Sequence, residues 1–437
     1  MYKKITSRKI VIFSIIMIYL PLLPQNTIAK SKSNSKTTIE RDWISWRGPF
    51  GNGSTDEVIP NPKALADSSS IRWKTNIGLG SSSVAVQGKR IYVFGNQKCA
   101  INSEQKDCDV IACLNAETGK EIWRYVYPSD PGPHSGPFSS PVVNDDFVYA
   151  FSRHGNLLCL NKKDGKKIWE TDINSFGFTK DNWGYASSPV IHDNTLFLRT
   201  GKSGIALHKK TGEKIWADDT TRSKCYSSAA ISQLNGKPVI AFAGMDAVRL
   251  FDIGTKQLIH QYPCKLHPNG PSGDPQFLNK DLLLINGSKL FGLLDISQKP
   301  VKPAWIKEDY GCGFQGFIIF KNMAFGMGSV ISRDQAFSII RCINLDNGNI
   351  EWRKTLGIWG SFSLAGDKLI VIEGNGRLVL VNPSMAEYLE IASMQVFNYD
   401  ENEVKGGKTS IWTQPVFSHG HIYIRATNGD LACVDMR

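Results

Sequence analysis

The sequence lacks most of the residue combinations that carry enzyme chemistry. Its nine cysteines include no adjacent pair, no Cys-x-x-Cys and no Cys-x-x-Cys-His, and its eight histidines show no His-x-x-x-His spacing. These absences argue against a zinc centre and against a covalently attached haem. No Gly-x-x-x-x-Gly-Lys-Ser/Thr occurs, so the Gly-Lys pairs at 119–120 and 165–166 are not phosphate loops; a turn between strands has no helix N-terminus to offer. Helical periodicity is missing as well. Acidic residues are outnumbered, giving a formal charge of +11. The basic residues are scattered among turns, which reads as a solvated surface and excludes the clustered patch that nucleic acid requires.

What the chain does have is one phrase, repeated. It reads Ala112-Cys-Leu-Asn-Ala-Glu-Thr-Gly-Lys-Glu-Ile-Trp123, then Leu158-Cys-Leu-Asn-Lys-Lys-Asp-Gly-Lys-Lys-Ile-Trp169, Ile205-Ala-Leu-His-Lys-Lys-Thr-Gly-Glu-Lys-Ile-Trp216 and Arg341-Cys-Ile-Asn-Leu-Asp-Asn-Gly-Asn-Ile-Glu-Trp352. The first three tryptophans lie 46 and 47 residues apart, the spacing of a repeat architecture. Each copy begins with period-two alternation, turns at a Gly preceded by Thr, Asp or Asn, and ends on Trp: strand, tight turn, strand. A second hairpin precedes each phrase, as in Ser139-Ser-Pro-Val-Val-Asn-Asp-Asp-Phe-Val-Tyr-Ala-Phe151. Four short antiparallel strands cannot bury both faces alone, so neighbours must stack, and radial stacking of such sheets is a β-propeller.

Strand pairs begin near Ser82, Ser139, Ser187, Ser227, Asp274, Gln315, Phe362 and Gln414, which is eight. Closing strands end at Trp123, Trp169, Trp216, Tyr262, Trp305, Trp352 and near Ile391, which is seven. The eighth unit stops at Arg437 without one, and a spare strand, Ile71-Arg-Trp73-Lys-Thr-Asn-Ile77, lies at the other end. The expected fold is therefore an all-β, eight-bladed propeller of four-stranded antiparallel blades over 71–437, its ring sealed by residues 71–77, which removes the free edges. Ahead of it, Lys3, Lys4, Arg8 and Lys9, the apolar run Ile10–Leu23 and Thr27-Ile28-Ala29 read as a secretory signal over 1–29. The run is short for a spanning helix and contains Pro21, which favours a cleaved signal, with no membrane span afterwards, over the alternative of an uncleaved anchor. Residues 30–41 read as a disordered polar leader and 42–70 as an extension packing on the ring. Export places the chain in the periplasm or outside the cell, as a monomer.

Cys113, Cys159, Cys342 and Cys433 share one repeat position that other units fill with Ala206, Leu250, Leu293 and Leu380, and so read as small buried hydrophobes. Cys99 and Cys108 sit in a polar insertion, Asn96 to Asp109, that no other unit has, where an exported protein can close a disulfide. Cys225, Cys264 and Cys312 remain unassigned.

The Ser-Ser-Pro-Val strand, the Leu-Asn-x-x-Thr-Gly-Lys-x-x-Trp phrase and the eight-fold count resemble the PQQ-like β-propeller repeat, a family of quinoprotein dehydrogenases and of BamB-like proteins of outer-membrane assembly. Asp42-Trp-Ile-Ser-Trp-Arg-Gly-Pro-Phe-Gly-Asn-Gly53 and Asp181-Asn-Trp-Gly-Tyr-Ala-Ser-Ser-Pro189 look like segments of exported members. The resemblance covers residues 42–437 and is specific for fold; function lives in sites grafted on folds. It implies, for redox members, pyrroloquinoline quinone (PQQ) and Ca²⁺ over the central channel, held by an adjacent Cys-Cys disulfide, a Trp floor and several acids. This chain lacks the cysteine pair, and its channel segments offer few acids: Asp181, Asp274, Glu308 and Asp309.

Residues that break the repeat are the site candidates: Arg47, His134, Asp181 with Trp183 and Tyr185, Lys224 with Tyr226, Gln315, Trp359, Lys408 and Trp412. All but Arg47 precede first strands, which line the channel of a ring, so they should converge on one face as a ligand or peptide surface. The competing account has Trp183 and Trp412 packing between blades and Asp181 capping a loop. Arg47 either pins the extension to the ring or reaches a ligand. The expected function is an exported, non-catalytic scaffold without cofactor or metal that binds an envelope protein, a small molecule or a carbohydrate. The alternatives are a PQQ- and Ca²⁺-dependent alcohol or sugar dehydrogenase and a carbohydrate- or peptide-binding module.

Overall fold

A computed structural model of the chain describes residues 40–437, apart from 135, 222–225, 267–272, 288–289, 309–315, 332–335, 358 and 406–408. The expected signal segment, and all but the last two residues of the leader, lie outside the described residues. Eight antiparallel sheets follow one another along the chain. Blades 1 to 7 span 85–128, 142–172, 190–217, 230–263, 276–308, 317–356 and 361–395, each strand pairing with the next. Blade 8 draws three strands from 416–435 and its outermost one, Ile71–Asn76, from the start of the ring. Thr75 pairs with Leu431 and Ile71 with Val434. A bulge falls between Ile71 and Trp73, as it does between Lys167 and Trp169 in blade 2. Trp73 thus occupies the station of the other repeat tryptophans, and the ring is sealed as the spare strand predicted. No helix among the described residues is long and apolar enough to cross a membrane.

The repeated phrase joins blades as well as building them. Five of these tryptophans reach the turn of the following blade. The indole N–H of Trp73 donates to Ala116 O, that of Trp123 to Lys162 O, Trp169 to Lys209 O, Trp305 to Leu345 O and Trp352 to Ser384 O, at 2.8–3.1 Å. The turn glycine of the next phrase lies flat on the ring: a Cβ on Gly165 (φ +73) would sit 2.4 Å from Trp123 Cε3, and Gly119, Gly212 and Gly348 meet Trp73, Trp169 and Trp305 in the same way. Glycine is required there twice, for the left-handed backbone and for the space. Cys113, Cys159, Cys342 and Cys433 are buried among apolar neighbours, and burial pushes the first three thiols up to about 11, 12 and 12. They are core residues, as their repeat position implied.

Two local expectations change. The Ser-Ser pairs do not begin strands; the first strands start later, at Ala85, Val142, Val190 and Ala230. The Ser backbone bonds to neighbouring blades instead. The insertion around Cys99 and Cys108 is not a loop. Strands Arg90–Ile101 and Glu104–Asn115 continue outward as a hairpin that turns on Asn102 and Ser103, both with positive φ, the geometry of a two-residue primed turn.

The N-terminal extension crosses the ring. Trp43 and Val86 exchange backbone hydrogen bonds at blade 1, and Ile44 O accepts from Val143 of blade 2. Ser54–Thr55 then adds a parallel fifth strand beside Ser361–Ala365, the channel-side strand of blade 7. At blade 8 the buried Glu57 carboxylate accepts from the backbone N–H of His419 (3.0 Å) and Gly420 (2.6 Å).

Candidate functional site

The segments ahead of the first strands form a hydrogen-bonded ladder around the channel. Ser83 N donates to Ser140 Oγ (2.8 Å), Ser140 N to Ser188 Oγ (2.9 Å) and Ser188 N to Ser228 Oγ (2.9 Å). The second serine of each Ser-Ser pair therefore holds one blade to the next. At blade 5 the ladder ends on a carboxylate: Ser228 N donates to Asp274 Oδ1 (2.5 Å), while Trp46 Nε1 donates to Asp274 Oδ2 (2.7 Å). Burial pushes the Asp274 carboxyl above its ordinary value, against the pull of Arg47 and of these two donors. Arg47 is itself buried, which lowers its guanidinium, and the charge of Asp274 opposes that shift. Its Nη2 donates to Asn52 O (2.9 Å), Gln276 Oε1 (3.2 Å) and Phe317 O. Arg47 pins the extension to blades 5 and 6.

Trp46 separates two recesses. One, of about 340 Å³, is lined by extension residues such as Ile44, Pro49 and Phe50 together with strand residues such as Val143 and Ile191. The other, of about 460 Å³, is a cup with Trp46 and Asp274 at its floor and Trp183, Tyr226, Trp359 and Trp412 in its wall. Trp183 stacks on Tyr226 (centroids 5.4 Å, 29°), His134 meets Trp183 edge-on (4.9 Å, 80°), and Trp359 lies against Trp412 (5.2 Å, 48°). Trp183 is 37% exposed. Trp359 has a φ of +56°, a left-handed conformation that costs a bulky side chain strain and is worth attention at a concave site.

The rim is held by residues behind it. Asp181 does not line the cup; its Oδ1 accepts from the backbone N–H of Trp183 (2.8 Å) and Gly184 (3.0 Å), and its Oδ2 from the Tyr226 hydroxyl (2.5 Å). It caps the loop and fixes both rings of the stack. The buried Arg153 donates to Pro131 O and Gly136 O of one rim loop and to Trp183 O of another (2.5 Å). Gly132 and Gly184 leave it room: a Cβ on Gly132 would lie 2.3 Å from Arg153 Cζ, and one on Gly184 2.5 Å from Arg153 O.

Among the sequence candidates, His134, Trp183, Tyr226, Trp359 and Trp412 come together in the cup, with Asp181 and Arg47 behind it. Tyr185 does not join them. It is buried in the core against Phe151, its hydroxyl donating to Asn174 Oδ1 (2.9 Å). Lys224, Gln315 and Lys408 lie outside the described residues. Cys99 and Cys108 are free thiols two places out of register on the long hairpin, Cys99 opposite Lys106 and Cys108 opposite Gln97. Sequence reasoning missed Arg153 and Trp46. The available signal for the first was an arginine ending an apolar strand, as in Phe151-Ser-Arg153, Leu198-Arg199 and Ile424-Arg425. Trp46 had none beyond its place in the Trp-Arg-Gly-Pro segment.

The family described as outer membrane protein assembly factor BamB matches residues 106–354. No curated protein matches the chain. Among solved structures, BamB from Moraxella catarrhalis is 11% identical with a TM-score of 0.57, covering 84% of this chain and 97% of its own. The quinohemoprotein alcohol dehydrogenase from Comamonas testosteroni is 11% identical with a TM-score of 0.67, covering 90% and 80%. A europium-containing methanol dehydrogenase is 10% identical with a TM-score of 0.64, covering 88% and 89%. At such identities the likeness is one of fold.

Proposed function

The chain belongs to the family of the outer membrane protein assembly factor BamB, and on that premise we propose that it is an exported, non-catalytic propeller whose aromatic cup binds a ligand or a partner protein. The observation that carries this reading is the convergence of Trp183, Tyr226, Trp359 and Trp412 on a recess floored by Trp46. A concave, largely apolar site with a few fixed polar groups is the usual form of a ligand pocket. Asp181 and Arg153 support it further, since both spend their hydrogen bonds on placing rim loops rather than on the core.

Quinone and calcium do not fit this donor set. Calcium takes about six to eight oxygen ligands, several of them carboxylates. Among the described lining residues Asp274 is the only carboxylate, and its oxygens already accept from Trp46 and Ser228 beside Arg47. A quinone bearing carboxylates asks for cationic partners, and no described lining residue is Lys or Arg. The deciding experiment titrates the purified protein with PQQ and Ca²⁺ and assays dye-linked oxidation of an alcohol panel. Stoichiometric binding with turnover refutes the non-catalytic reading. An envelope protein or ligand retained by the native chain and lost on Trp183→Ala, with an unchanged circular dichroism spectrum, supports it.

A further inference from the structure

On the reading of the cup as the binding site, we propose that its ligand is a neutral saccharide. In a ring of eight blades, blade 3 faces blade 7 and blade 4 faces blade 8. Trp183 leads into blade 3 and Trp359 into blade 7; Tyr226 leads into blade 4 and Trp412 into blade 8. Two aromatic pairs therefore face each other across the cup. Such walls suit a flat ring that presents C–H faces, since aromatic surfaces supply large apolar contact with defined geometry.

Apart from Asp274 and His134, the polar side chains between those walls are hydroxyls. Ser188 and Ser228 line the cup, and each Oγ accepts a backbone N–H, from Ser140 and Ser188 respectively. Neither hydroxyl hydrogen goes to a protein acceptor recorded among the described residues, and a hydroxyl holds one donor besides its lone pairs. Across the cup, Ser410 N donates to Thr427 Oγ1 (2.9 Å) and the two hydroxyls lie 3.3 Å apart. A polyhydroxylated ligand matches this mixture of donors and acceptors. Charge selects against the other classes. The carboxylate of Asp274 and the guanidinium of Arg47 are near enough for each charge to shift the other, so together they present little net charge to attract a cation. No described lining residue is Lys or Arg, and the one lining histidine, His134, is held below its ordinary value by burial and by the charge of Arg153, so the cup offers an anion no cation at neutral pH. The left-handed backbone at Trp359 is strain of the kind that persists where a ring must be held in place.

The test is isothermal titration and tryptophan fluorescence of the full chain with cellobiose, maltotriose, xylobiose and N,N′-diacetylchitobiose. Saturable one-to-one binding of at least one of them is expected. Trp183→Ala and Trp412→Ala should each weaken it roughly tenfold or more, as truncation of a central aromatic contact does. Trp183 is 37% exposed, so its variant keeps the fold, as circular dichroism will verify. Binding of none of the four sugars overturns the proposal, as does sugar binding that both variants retain. Tetramethylammonium and galacturonate serve as cationic and anionic probes. If one of them binds in place of the sugars and Trp183→Ala abolishes that binding, the saccharide is refuted while the cup stands as the binding site. If no probe binds and an envelope partner is held equally by native protein and Trp183→Ala, both readings fall.

Discussion

Gly165→Ala isolates the contact by which one blade grips the next. Gly165 has a φ of +73° and lies on the Trp123 ring, 2.4 Å from Cε3 to the Cβ that alanine would add. Two costs should add. Left-handed backbone costs a residue with a Cβ about 1–2 kcal/mol, and forcing a methyl group into a packed contact costs about 1–3 kcal/mol. The expected loss is therefore about 2–5 kcal/mol. Gly236 provides the control: its φ is +74° and nothing lies within 4 Å of the Cβ position, so Gly236→Ala should cost only the backbone term of about 1–2 kcal/mol. Trp123→Ala closes the cycle. Without the indole, Gly165→Ala should fall to the Gly236→Ala value, leaving a coupling of about 1–3 kcal/mol between the two sites. Urea unfolding followed by far-ultraviolet circular dichroism reads these differences as midpoint shifts at constant slope. If Gly165→Ala costs the same with and without Trp123, the ring does not press on the turn and the blade-to-blade relay is refuted.

Removing residues 71–76 should expose the edge of Asp430–Asp435 and replace one cooperative melting transition by a broad one with aggregation; a truncated chain that melts like the full one would show that closure adds no stability. His419 should latch the extension in a pH-dependent way, because its two ring nitrogens face Glu40 (3.0 Å) and Asp42 (2.8 Å). Burial opposes its charge, but the hydrogen bonds to Asp42 and Glu40 outweigh burial and raise the imidazolium above the ordinary histidine value. Its stabilisation is then full below that ordinary value and is lost as pH rises through the raised one, so the melting difference between native protein and His419→Gln should be full near about pH 6 and shrink as pH is raised above the ordinary histidine value. The neighbouring His421, held low by burial and Arg437, is common to both proteins and cancels; a pH-independent difference would refute the latch. Arg153→Ala should leave several rim carbonyls unpaired at a cost of about 1–3 kcal/mol and red-shift Trp183 emission, and an unchanged spectrum would count against its placing role. Thiol titration of denatured protein should find two fewer free thiols without reductant than the nine seen with it if Cys99 and Cys108 pair after export; equal counts exclude the pairing.

The amino-acid sequence by itself determined the blade. Period-two alternation, a turn glycine and a terminal Trp act within a dozen residues, and they specified pleat, turn and repeat length. Counting closing strands identified Ile71–Asn76 as the missing edge, and comparing units at one repeat position placed four cysteines in the core. The tertiary structure decided the rest, because those contacts join residues far apart in the chain. Only the closed ring brings Trp183 and Tyr226 opposite Trp359 and Trp412, ends the serine ladder on Asp274, and lays Trp46 across the channel as a floor. Tyr185, two residues from Trp183, turns into the core instead, since its phenol finds Asn174 and Phe151 there. Nothing periodic distinguishes those two aromatics; what separates them is which side of the loop faces the channel once eight blades have closed.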